Sequence, residues 1–179
     1  MTLLIKLAGR IDRLTFLLGQ IATASVLGLI ALVFYNVIIR YLGGGSPIWL
    51  QELEWHIMAP AMLVGIVVLM REGGHVRVDM LYVRFSARMQ HLFDFISMLI
   101  GTMISLLLIK YCQGFLESSW SVFEASPDPG GLSGRYILKA SLPIAFAFLA
   151  LQCFANAIRH LNDFLSSTQK ETAKESEDE

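Results

Sequence analysis

LTFLLGQIATASVLGLIALVFYNVII, residues 14–39, contains no Asp, Glu, Lys, Arg or His. As an α-helix rising about 1.5 Å per residue it covers about 39 Å, more than the ~30 Å hydrocarbon layer of a bilayer. A soluble domain of 179 residues has no interior that deep. The stretch therefore reads as a transmembrane helix, and the chain as an integral membrane protein. A cleaved secretory signal fits poorly, because the run is too long and no small-residue cleavage pattern follows it.

Composition agrees. Hydrophobic residues make up 55% of the chain and charged residues 16%, against about 25% charged in ordinary soluble domains. Mean hydropathy is +0.58. The net charge of −1 points to no partner, and no nucleic-acid partner is expected. Cys112 and Cys153 lack metal-ligand spacing and read as small apolar residues.

Three further apolar segments, about 48–70, 92–111 and 137–158, complete a predicted set of four spans. The expected fold class is all-α, with a four-helix membrane domain over residues 1–165. An even number of spans puts both termini on one side. Ten Lys and Arg residues fall on the side of the termini and the second loop, and four on the other. Positive charge favours the cytoplasmic face, so both termini are predicted to be cytoplasmic. Lys6, Arg10, Arg13, Arg40, Arg77, Arg84 and Arg88 are the expected anchoring cations at the lipid headgroups.

Residues 3–14, LLIKLAGRIDRL, are amphipathic: Leu3, Leu7, Ile11 and Leu14 share one quarter of a helical wheel, with basic residues beside them. Residues 77–91 are also basic and amphipathic. Both segments are expected as interfacial helices. From Ser166 to Glu179 the chain is polar and mixed in charge, and a disordered tail is predicted.

No Walker loop, HExxH, CxxC or GxSxG occurs, so no nucleotide site or common catalytic motif is read. Four histidines invite a haem reading. Bis-histidine ligation needs two facing imidazoles at one depth, and His56, His75, His91 and His160 offer no pair that converges by sequence position. No catalytic, metal or cofactor-binding residue is assigned.

The second span opens with WLQELEWH, 49–56, which places Glu52, Glu54 and His56 in its first turns. Trp49, Glu52, His56 and Pro60 are spaced 3, 4 and 4 and share a helix face. Glu54 projects about 200° away from Glu52 at 100° per residue. Ionisable groups inside a membrane are functional candidates by default. Three readings stand: helix packing or assembly, snorkelling to the headgroups, and a transport site. The third loop, SSWSVFEASPDPGGLSGRYILK, 118–139, predicts a specific turn instead of a tether. Pro127 and Pro129 fix the backbone, while Gly130 and Gly131 permit positive φ. Arg135 follows at the start of the fourth span. That loop is either a tight re-entry turn or a docking surface.

WLQELEWH at 49–56, HVRVDMLY at 75–82 and EASPDPGGLSGRYILKASLP at 124–143 together resemble the small membrane subunit of tripartite ATP-independent periplasmic (TRAP) transporters. The resemblance covers roughly residues 10–160. It is closest to the branch associated with mannitol, chloroaromatic and 2-oxo acid substrates. Ser133 stands where the family's turn has proline.

The resemblance implies a bacterial inner-membrane protein that is not an enzyme and carries no cofactor. It implies a large TRAP membrane subunit holding the Na⁺ and substrate sites, and a periplasmic substrate-binding protein that delivers organic acids. The small subunit is then a scaffold. Trp49, Glu52, His56, Pro127, Gly130, Gly131 and Arg135 become the expected partner-interface residues. The competing expectation is a membrane anchor for a redox enzyme.

Overall fold

The computed structural model describes residues 2–43, 45–74 and 85–177. Four helices account for most of them: α1 Thr2–Leu42, α2 Ile48–Arg71, α3 Ala87–Ser121 and α4 Arg135–Glu177. Each is long and apolar enough to cross a membrane. The predicted spans all fall inside these helices. Three of the helices run well past the predicted ends, because they continue beyond the depth where apolar composition marks them.

Residues 3–14 are the first turns of α1, continuous with the span, and form no separate interfacial helix. No proline or glycine pair interrupts the chain between them and Leu14, so nothing breaks the helix where its amphipathic character ends. Most of the second expected interfacial helix lies outside the described residues; 87–91 form the start of α3, whose N-cap is the Ser86 hydroxyl. The polar segment after Ser166 continues α4 as helix to Glu177, where composition predicts a disordered tail. Gln169, Lys170, Glu171, Ala173, Lys174 and Glu175 are all good helix formers, which suits continuation. Two prolines lie inside the helices, Pro60 in α2 and Pro143 in α4.

α4 is the hub. It packs most extensively on α3 and also touches α1 and α2, while α1 packs against α2. The helices approach through small side chains. Ala8, Ala145, Ala150, Ala155 and Ala157 are buried, and Cys153 sits opposite Gly101. Lipid gives apolar side chains no incentive to leave it, so close packing of small residues and hydrogen bonds hold such helices together. Met98, Cys153 and Ala157 form the apolar centre, with Met70, Phe95 and Leu149 around them.

A polar network ties α1 and α2 to α4. Gln152 donates to Asp12 Oδ1 at 2.9 Å and accepts from the Thr15 hydroxyl at 2.7 Å. Asn156 donates to the Met70 carbonyl at 2.8 Å, and Arg159 pairs with Asp12. These groups sit on the side of the bundle where both termini emerge. By contrast, the most apolar window of α1 is wholly unburied within the chain. Phe34, Leu27, Ile30 and Ile21 are all more than 60% exposed, leaving a long apolar face.

Candidate functional site: a clasped cap between the third and fourth helices

The 122–134 connection folds back on itself as a small cap. Ala125 and Ser133 form an antiparallel bridge, and Ser126 N–H donates to the Leu132 carbonyl at 3.0 Å. Gly131 N–H closes the turn on the Asp128 carbonyl at 3.0 Å. Gly130 and Gly134 take φ of 83° and 109°, a region that costs an L-residue strain. Ser133 forms one side of that bridge, opposite Ala125.

Glu52 holds this cap from α2. Its carboxylate accepts the Leu132 N–H at 2.6 Å, the Ser126 hydroxyl, and Arg135 at 3.3 Å. Only 2% of Glu52 is exposed. A Cβ on Gly131 would lie 2.8 Å from Glu52 Oε2 and would collide with the Ser126 hydroxyl. The glycine therefore makes room for the carboxylate. A second clasp parallels the first. Glu124 accepts from Ser119 at 2.6 Å and pairs with Lys139. The Lys139 hydrogen bond, then that of Ser119, holds the Glu124 carboxyl below its ordinary value of 4.5. Trp120 and Phe123 pack edge-on against Tyr136, at centroid distances of 4.9 and 5.8 Å.

The residues predicted at this end divide. Glu52, Gly131 and Arg135 come together in one clasp, where the Glu52 carboxylate is paired within the chain. The physical reason is the loop itself: its backbone N–H and hydroxyl are donors that a buried carboxylate needs. Pro127 and Gly130 are exposed on the cap, and Trp49 is 45% exposed on α2. His56 shares the Glu52 face, and its Nδ1 lies 2.7 Å from the Glu52 carbonyl. A carbonyl only accepts, so Nδ1 carries the hydrogen. Nε2 is buried without a hydrogen-bond partner among the described residues.

Glu54 does point elsewhere, as its position on the helix predicts, but it is not idle: it accepts a hydrogen bond from Asn36 of α1, which also receives one from Ser46. Among the anchoring cations, Arg40 is exposed near the 43–47 connection, whereas Arg77 and Arg84 lie outside the described residues. Arg88 stacks on Phe164, 5.2 Å from the ring centroid.

Beneath the cap runs a groove of about 510 Å³ walled by Ala59, Met62, Leu63, Phe115, Leu138 and Leu142, with Glu124, Arg135 and Lys139 at its rim. At the other end of the bundle, His91 and His160 converge, their ring centroids 6.3 Å apart. This corrects the expectation that no histidine pair meets. Asp94, buried at 6% exposure, lies 3.7 Å from His160 Nδ1. The polar network residues Thr15, Gln152 and Asn156 had no place among the predicted ones. Their signal was there: Gln152 and Asn156 are spaced four apart in an otherwise apolar run.

Four long apolar helices, a bundle held by small residues, and a structured cap define a multi-pass membrane protein built for packing. Residues 29–163, more than half of the chain, match the family of the DctQ component of tripartite ATP-independent periplasmic transporters, and the chain belongs to that family. It is thus a small membrane subunit of a TRAP transporter. No curated protein sequence matches it. The family match gives the redox-anchor expectation no support.

Proposed function

We propose that this chain is the non-catalytic scaffold subunit of a Na⁺-coupled transporter for organic acids in a bacterial inner membrane, both termini being cytoplasmic. The observation that carries this reading is the family match over residues 29–163. The exposed apolar face of α1 supports it, since that face suits a larger membrane subunit that would be widened and steadied by this one. Na⁺ and substrate sites belong to that partner. Among the described residues there are no unwound, paired half-helices of the kind that form transporter sites at mid-membrane: the prolines inside spans, Pro60 and Pro143, lie within continuous helices.

The cap faces the periplasm in this reading and contributes a docking surface for the substrate-binding protein. Val122 and Phe123 are 70% and 67% exposed there, beside the exposed turn Pro127–Gly130. Glu52 acts by holding that surface in shape. The substrate branch follows the sequence resemblance: mannitol, chloroaromatic or 2-oxo acid compounds. The test is paired. Glu52→Gln is compared with the unsubstituted chain for co-purification with the large subunit and for uptake by the full system. Lost uptake with the membrane complex intact supports the cap as a docking surface. Unchanged uptake with a melted cap removes it from the mechanism.

A further inference from the structure

We propose that His91, His160 and Asp163 form a binding site for a divalent transition-metal ion of the zinc class, which clips α3 to α4 at the end of the bundle opposite the cap. Each residue offers a ligand atom, and the three atoms lie within 4.8 Å of one another. Tetrahedral zinc with bonds of about 2.0–2.1 Å needs its ligands roughly 3.3 Å apart. On binding the ligand atoms would close by up to about 1.5 Å.

The donor set suits the ion. Two imidazoles and one carboxylate leave a fourth position for water, and imidazole nitrogen selects zinc-like ions over Mg²⁺ or Ca²⁺. The placement suits it too. His160 and Asp163 are spaced three apart on α4, one turn of the same face, and His91 meets them from α3. Helical bundles build metal sites from this i, i+3 pairing plus a facing helix.

Two further observations point to a ligand. His91 Nδ1 is buried without a hydrogen-bond partner among the described residues, a lone polar atom that bound metal would satisfy. The buried Asp94 carboxylate lies 3.7 Å from His160 Nδ1, beyond hydrogen-bond length but close enough for its negative charge to favour a cation held by that imidazole.

The experiment uses the full chain, purified without a polyhistidine tag and stripped with chelator, then titrated with Co²⁺ as a spectroscopic stand-in. The expected result is one equivalent bound with the intense visible bands of four-coordinate cobalt, displaced by Zn²⁺. His91→Gln and His160→Gln should abolish the bands. Asp163→Asn, at an exposed position, should weaken binding and guards against a core variant that misfolds. Asp94→Asn should weaken it by removing the negative charge beside His160. His56→Gln, at the far end of the bundle, should leave the spectrum unchanged. A weak octahedral spectrum, no binding, or bands that survive His91→Gln and His160→Gln in a folded chain would overturn the site.

Discussion

The carboxylate of Glu52 accepts the backbone N–H of Leu132 at 2.6 Å, across eighty positions of sequence. One side chain at the start of a span thereby holds the loop between two others. This resolves why α2 keeps a carboxylate so near lipid: the charge is met by the Leu132 amide, the Ser126 hydroxyl and Arg135. The same geometry explains the glycines of the turn, which serve the carboxylate as much as the backbone.

The clasp should therefore be intolerant of shape. Gly130→Ala places an L-residue at φ 83° in open space and should cost about 1–2 kcal/mol from strain alone. Gly131→Ala adds a methyl against Ser126 and Glu52 and should lower the melting temperature further. Thermal melts in detergent order the two. Equal melting of both variants and the parent would show that the cap is not part of the cooperative fold.

Glu124 offers a pH signature. Its carboxyl titrates below its ordinary value of 4.5 when folded, so its contribution to stability is complete above that value and is lost as pH falls through the lowered one. Melting temperature should thus drop on acidification below about 4.5, and Glu124→Gln should flatten that part of the curve while leaving neutral pH to report the lost pairing with Lys139. A curve of unchanged steepness in the variant would assign the acid sensitivity to other carboxylates.

At the other end, Gln152→Leu should loosen α1 from α4. Interhelical hydrogen bonds in membranes contribute about 0.6–2 kcal/mol each, and this residue makes two of them, to Thr15 and Asp12. Chemical denaturation in mixed micelles measures the loss. A more stable variant would mean that apolar packing, not the network, sets the position of α1.

Orientation has its own check. Single cysteines at positions 80 and 128 are treated with a membrane-impermeant thiol reagent from the periplasmic side. Labelling at 128 alone is expected, and labelling at 80 alone would invert the topology.

How far the sequence carried this reading depends on what each feature needed. The span at 14–39 was legible because its length and lack of charge admit one solution. Helix ends were not, since α3 runs on to Ser121 and α4 to Glu177 through residues whose hydropathy says nothing of the membrane. The turn at 127–131 was legible as structured from its prolines and glycines. Its tie to Glu52 was not, because no spacing rule links residues eighty positions apart. Sequence position puts His91 and His160 near the ends of two spans, but it does not say which way the two helices face.

Docking through the cap separates charge from shape. Asp128 is exposed in the turn, and its side chain is not one of the groups that bind the Glu52 carboxylate. Asp128→Lys should change uptake by the reconstituted three-component system in a way that weakens as salt is raised, with the membrane complex intact. Uptake indifferent to both the substitution and the salt would return this loop to a purely structural role.

The central claim is that this chain works only as part of a larger membrane complex. Co-expression with the cognate large TRAP membrane subunit, affinity capture of this chain and quantification of the two proteins test it most directly. The account predicts an equimolar complex that survives detergent, and no substrate uptake by liposomes holding this chain alone under the Na⁺ gradient that drives the complete system. Recovery of this chain free of the large subunit, or uptake by this chain alone, would contradict it.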